Sequence, residues 1–392
     1  MTAAGGGVRP PPWRDVRVLR VAFQVVFVAA VVALLVYPLA NLRHNLGLLG
    51  LPTGFGFLGE PTGVAIRDVA FDPGQPIRDA LFVGLLQTIQ ISAVGIVLAT
   101  VLGVGVGMAR LSANWLVRRA AAVYVETLRN IPVLVIIIFA YTAVALRLPP
   151  ITQAAEWLDA VLLSNSGLWV PWVISWGEAG DVGGFFTLAL AAGAAAVLAA
   201  RWRTCRFDAT GAPHHRLLWG IGMLAAVAIV GYFALGRPVA LSLPSRDGLV
   251  VNGGIKLGPE FAALLAGLVI YTASQIAEVV RGSILAVPKG QAEAATAVGL
   301  TPFQRMRFVA LPQALRIMIP PLANQYVSLT KNSSLAVAIG YFELAQITRQ
   351  AVGNAKPEPQ LYLLLMLCYL FLSLVISLVA NLVNRRLAWE TR

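Results

Sequence analysis

Charged side chains are scarce in this sequence: they make up 12% of its 392 residues, where an ordinary soluble domain carries about a quarter. With 58% of positions apolar, a single water-soluble core is excluded and a polytopic membrane protein is expected. Cysteine is almost missing as well. Cys205 stands in a basic loop and Cys368 in an apolar run, neither with a CxxC or His-spaced companion, so no disulfide or metal framework is indicated. His44, His214 and His215 are isolated from acidic partners in sequence, no HExxH occurs, and they read as loop residues near the interface. The lysines Lys256, Lys289, Lys331 and Lys356 precede Leu257, Gly290, Asn332 and Pro357, so the G-K-[ST] of a phosphate loop is impossible. Without a His-acid pair or a G-x-S-x-G, no catalytic residue is assigned and an intramembrane enzyme has no support.

What is present is a series of apolar runs. Windows of about 20 residues, enough to cross ~30 Å of hydrocarbon, fall near 20–40, 81–108, 121–147, 184–200, 217–236, 260–281, 314–340 and 361–384. The expected fold is therefore all-α with about eight spans. The first run follows Arg9, Arg14, Arg17 and Arg20, but it exceeds the ~7–15 residues of a signal h-region and lacks an A-x-A site, so it reads as an uncleaved span. The seventh is expected to be interrupted at Pro320 and Pro321.

The net charge of +12 resembles the footprint of a nucleic-acid binder, yet the basic residues cluster between spans of membrane length, which rules that partner out. Topology explains them better. About twice as many Lys and Arg fall on one proposed side, including Arg110, Arg118, Arg119, Arg201, Arg203, Arg305 and Arg307, while Glu156, Asp159, Glu178 and Asp181 share a loop on the other. Both termini are thus expected in the cytoplasm. The organisation is a tail at 1–19, a first span with an outer loop at 20–80, a core at 81–147 and 260–384 containing a patterned loop at 287–315, and inserted spans four and five at 148–259.

That patterned loop is the most informative stretch. Pro288 opens a helix, Ala292, Ala294, Ala295 and Ala297 give it a small-residue surface around Glu293, and Gly299 suits a left-handed closing position. Thr301, Pro302 and Gln304 then match a capping box, so the reading is helix, sharp turn, helix. A short exposed helix joined to a span suits mechanical coupling to another protein; an amphipathic loop lying on the bilayer satisfies Arg305, Arg307 and Phe308 equally well.

Glu293, Ala294, Ala295, Gly299, Val309, Leu311 and Pro312 resemble the EAA segment of ATP-binding-cassette importer permeases, with Val309 in the place of Ile. Similarity extends to the polar amino acid permeases of histidine-permease type, and most of all to the first membrane subunit of general L-amino-acid transporters. It is carried by Gly84 to Thr88, Ala109 to Trp115, Tyr124 to Pro132, Ala277 to Arg281 and Leu329 to Leu335. The resemblance implies a five-helix permease core and docking of Gly290, Glu293, Ala294, Ala295, Gly299, Leu311 and Pro312 on an ATPase. It also implies an ATPase dimer carrying ATP and Mg, a second related permease in a heterodimer, a periplasmic amino-acid-binding protein and a bacterial inner membrane, with no cofactor on this chain itself.

Ionisable and amide side chains within a span are costly and mark function. Asn324, Gln325, Ser328, Lys331, Asn332 and Ser333 after the paired prolines, with Gln87 and Thr88, are therefore assigned to a translocation pathway. Glu126 with Arg129, and Glu278 with Arg281, form E-x-x-R pairs that read either as a gate or as anchors of helix ends. The rival class is an ion-coupled secondary carrier or channel that needs no ATPase and uses Lys331 and Glu278 as charge carriers.

Overall fold

The computed structural model describes residues 11, 13, 15–48, 54–67, 69–157, 160–175, 182–210, 216–234, 239–248, 250–354 and 356–388. The chain start with Arg9 and Arg14, the acids Asp159, Glu178 and Asp181, His214, His215, Arg237 and Arg392 lie outside the described residues. In chain order the elements begin with α1 (Val16–Leu48), α2 (Ile77–Ala109), α3 (Trp115–Arg129) and α4 (Val133–Phe139). Four short strands follow, β1 (Ala155–Trp157), β2 (Val161–Ser164), β3 (Gly167–Val170) and β4 (Trp172–Ser175), then α5 (Val182–Thr210) and α6 (Arg216–Ala234). Next come β5 (Val239–Ser242), β6 (Ser245–Asp247), β7 (Val250–Asn252) and β8 (Ile255–Leu257). The chain ends with α7 (Pro259–Leu285), α8 (Lys289–Ala297), α9 (Pro302–Arg305), α10 (Leu311–Asn332), α11 (Leu344–Gly353) and α12 (Glu358–Ala388).

Among the described residues four helices are long and apolar enough to cross a membrane: those at 18–38, 77–109, 259–285 and 358–385. A fifth span arises if α3 and the helical stretch from Val133 to Arg147 are counted together. The expected count of eight is not reached by length and composition. The third span is not straight but bent by 101°. The cause is local: Asn130 closes α3, and Pro132, which has no N–H and forces its predecessor towards extended geometry, precedes α4. The opposite correction applies to α10, which runs through Pro320 and Pro321 as a helix; irregularity comes later, in a tight turn at Ser333–Ala338. Proline's fixed φ is helical, so the pair deletes backbone hydrogen bonds without expelling the chain from the helix.

The all-helical expectation omitted the strands. The inserted segment carries a four-stranded antiparallel sheet in the order β1-β2-β3-β8, and separate β4–β5 and β6–β7 pairs. Ser175 faces Val239 in the β4–β5 register, so this ladder flanks α5 and α6, which pack on each other. A helical hairpin on a β stem is thus the design of residues 155–257.

Contacts divide the chain into two units, residues 1–88 with 342–374, and residues 89–341 with 375–392. The first is held by Phe57, Ile77, Ala351 and Leu361 and by Val64, Ile66, Ala80 and Ile347. The second is organised on α7, whose Leu264, Leu268, Ile276 and Val280 join Ile91, Ile137 and Leu329 in one core. Close packing there requires glycine. A Cβ on Gly103 would lie 2.7 Å from the Ile276 side chain and one on Gly107 2.8 Å from Val280, so the small-residue seam of α2 seats directly on α7.

Candidate functional site

The segment between α7 and α10 folds as helix, turn, helix. Pro288 caps α8, and Gly299 takes φ +82°, the left-handed conformation that only glycine adopts freely. The Gly299 N–H donates to Thr296 O at 3.0 Å and the Leu300 N–H to Ala295 O at 3.1 Å, which closes the helix end. At α9 the Gln304 N–H donates to Thr301 Oγ1 at 3.4 Å, and the Thr301 N–H donates to Gln304 Oε1 at 2.9 Å, completing the capping box. Side chains brace the two arms: Arg305 donates to Thr296 Oγ1 at 3.0 Å and Gln313 to Gln291 Oε1 at 3.4 Å. Gly290, Glu293, Ala294 and Gly299 are exposed, as is Pro312, whereas Ala295 is turned inward and buried. The helix therefore presents a surface built from Glu293 and small residues while Ala295 packs against its own loop.

A second constellation gathers on α7. Glu278, 26% exposed, is bonded by Arg110, 13% exposed, and by Arg281 at 2.6 Å, and it has Arg129 Nη1 at 3.9 Å. Three guanidinium groups thus converge on one carboxylate. Arg281 and Arg129 were anticipated here, Glu126 is exposed on α3, and Arg110 was missed. Only the fold brings residues 110 and 278 together, so no local signal pointed to Arg110.

On α10, Asn324, Ser328 and Lys331 recur at helical spacing along one exposed stripe, with Gln325 and Asn332 half-buried beside it. Ser333 is buried and its hydroxyl donates to Thr330 O at 2.7 Å, so it closes the helix end rather than facing open space. Gln87 is half-buried on α2. Thr88 is fully buried: its hydroxyl donates to Gly84 O at 2.9 Å and lies 3.2 Å from Glu343 Oε2. Sequence reasoning missed Glu343, the one fully buried acid among the described residues. It caps α11 by accepting from the Ala345 N–H at 2.9 Å and the Gln346 N–H at 3.0 Å, and Tyr369 on α12 donates to it at 2.7 Å. Burial pushes its carboxyl above the ordinary glutamate value, opposed by those hydrogen bonds. The only local hint was its position before an apolar helical pattern, where a side-chain oxygen suits a cap.

Membrane-length helices, two of them packed on a glycine seam, together with a polar stripe on α10 and an exposed, capped helix between α7 and α10, mark an integral membrane component. The model of one family, described as binding-protein-dependent transport system inner membrane component, matches residues 95–389. The chain is 36% identical to general L-amino acid transport system permease protein AapQ of Rhizobium johnstonii, covering 96% of this chain and 94% of that one. It is 39% identical to the putative amino-acid ABC transporter permease protein YhdX of Escherichia coli, covering 93% of each. Against glutamate/glutamine/aspartate/asparagine transport system permease protein BztB of Rhodobacter capsulatus the identity is 35%, covering 96% of each. The chain belongs to the family of binding-protein-dependent transport system inner membrane components.

Proposed function

We propose that this chain forms the translocation pathway of an ATP-driven importer of polar amino acids and is moved by a separate ATPase docked on α8. The observation that carries the reading is the exposed, glycine-terminated helix at Lys289–Ala297, braced to α9 and α10 and joined to the core helix α7 through the three residues 286–288. Gly290, Glu293, Ala294 and Gly299 provide the contact surface, with Leu311 and Pro312 at the start of α10 transmitting the push, while Ala295 stiffens the loop from within. The relatives' names supply the substrate class. Amino acids are zwitterions, and the exposed stripe of Asn324, Ser328 and Lys331, with Gln325 and Asn332, offers donors and acceptors that a lipid-facing helix has no use for.

ATP and Mg are held by the ATPase dimer, a second, unlike permease completes the pathway, and a periplasmic binding protein delivers the substrate. By the positive-inside rule the basic segments around α8 and α2 support a cytoplasmic position for both termini. Glu278, with Arg110, Arg281 and Arg129, anchors the inner ends of the core helices so that they move together. The test is co-expression with the ATPase and uptake into vesicles. Deleting 291–298 is expected to abolish both ATPase co-purification and ATP-dependent uptake; uptake that survives the deletion and runs without ATP points to an ion-coupled carrier and refutes the proposal.

A further inference from the structure

A cavity in the unit formed by residues 1–88 and 342–374 takes no part in the coupling helix or the polar stripe. It measures about 600 Å³, within the range of small-molecule sites. Two elements build its walls. From Thr62 to Arg67 burial alternates along the chain: Thr62, Val64 and Ile66 are buried, while Gly63, in the left-handed conformation at φ +65°, Ala65 and Arg67 are exposed and line the cavity. Opposite stands α11, which buries Leu344, Ile347, Thr348 and Ala351 and lines the cavity with Gln346, Arg349 and Gln350 at helical spacing. Asn354 ties the two walls, its Nδ2 donating to Thr62 O at 3.2 Å. Small residues at 63, 65 and 353 keep the space open, and no described residue lining it is acidic.

Two arginines and three carboxamides line it, and none of the described lining residues is an acid that would satisfy those guanidinium groups, which suits one ligand chemistry. We propose that this pocket is a carboxylate-binding site, with Arg67 and Arg349 holding the carboxylate and Gln346, Gln350 and Asn354 providing polar contacts beside it. Paired arginines favour carboxylates because their planar N–H groups match the two oxygens. Resting on the proposed import function, which puts Arg67 and Arg349 on the outer side, the carboxylate belongs either to a free amino acid or to an acidic side chain of a delivering protein.

The experiment uses the full chain in lipid nanodiscs with radiolabelled L-glutamate and succinate, and separately with the binding protein. Charge-assisted pairs lead us to expect that the double substitution R67Q/R349Q weakens carboxylate binding by about tenfold or more, each single change less, and R78Q, an exposed arginine outside the pocket, not at all. Saturable glutamate and succinate binding lost in the double variant identifies a free carboxylate. Absence of such binding, with binding-protein association lost in the double variant, identifies an acidic side chain. If neither ligand distinguishes the double variant from the parent, the site is refuted. Should the double variant not fold, Ala65→Cys in a Cys205→Ser background provides a second measurement, since alkylation of position 65 should be slowed by the ligand that binds. ATPase co-purification of the same proteins separates the two ideas: R67Q/R349Q should leave it intact, whereas deletion of 291–298 removes it.

Discussion

Replacing Glu343 tests how α11 is held. Its Oε1 accepts from two backbone N–H groups at 2.9 and 3.0 Å, and its Oε2 accepts from Tyr369 at 2.7 Å with Thr88 Oγ1 at 3.2 Å. Glu343→Ala removes the cap, worth about 1–2 kcal/mol, takes a buried acceptor from Tyr369, worth about 1–3 kcal/mol, and opens a void; the loss expected is about 2–5 kcal/mol. Glu343→Gln keeps the shape and one capping oxygen, and the Tyr369 hydroxyl can turn to accept from the new amide. Since it also ends the cost of burying a charge, its expected loss is about 1 kcal/mol or less. A pH dependence separates the two effects. The folded-state pKa is raised by burial, so this residue's contribution is complete below the ordinary glutamate value and is lost as pH climbs through the raised one. Thermal unfolding of the purified chain in detergent, across a pH series from the glutamate range upward, should therefore show wild-type stability falling with pH and a flatter profile in Glu343→Gln. Equal losses for Ala and Gln, or an unchanged slope in Gln, would refute the assignment of Glu343 as the buried pin of α11.

The glycine seam gives a controlled comparison: Gly103→Ala and Gly107→Ala should each cost roughly 1–3 kcal/mol by overpacking Ile276 and Val280, while Gly105→Ala, with nothing within 4 Å, should be neutral or stabilising by up to about 1 kcal/mol of helix propensity. Melting temperatures of the three variants decide it. At the coupling helix, Gly299→Ala meets no atom within 4 Å but is strained at φ +82°, by about 1–2 kcal/mol. ATPase activity of the assembled complex should fall, and Gly299→Asn should retain more of it. In the charged cluster, Glu278→Ala leaves Arg110 and Arg281 facing each other without a counter-charge and should cost about 2 kcal/mol after allowing for partial exposure, whereas Arg129→Gln, 43% exposed and 3.9 Å away, should change unfolding by about 0.5 kcal/mol or less.

What the sequence revealed was local or compositional. The capping box at Thr301 and the left-handed Gly299 were legible because each depends on neighbours within a few residues, and the apolar lengths of α1, α2, α7 and α12 are properties of single segments. The strands of the insertion were not legible, since each is three or four residues long and β3 finds β8 only across the intervening helical hairpin. The bend at Pro132 was readable in principle, but hydropathy averages over it, so two helices of different direction passed as one span.

The charged residues separate by the same rule, and here the distinction bears on function. Glu278 with Arg281 lies within one turn and was recognised, yet the same carboxylate is also bonded by Arg110, which arrives from just beyond the end of α2. Glu343 is the sharper case: its hydroxyl neighbours Thr88 and Tyr369 lie 255 and 26 positions away. Composition says only that a buried acid is expensive, and the fold says what repays it: the Ala345 and Gln346 N–H groups and the Tyr369 hydroxyl, and the fixed orientation of a helix whose opposite face carries Gln346, Arg349 and Gln350. The buried carboxylate and the exposed guanidinium of α11 are thus two ends of one device. If Arg349 binds a carboxylate, loosening the cap in Glu343→Ala should weaken that binding in the nanodisc assay without touching a single lining residue, while Glu343→Gln, which preserves the cap, should retain it.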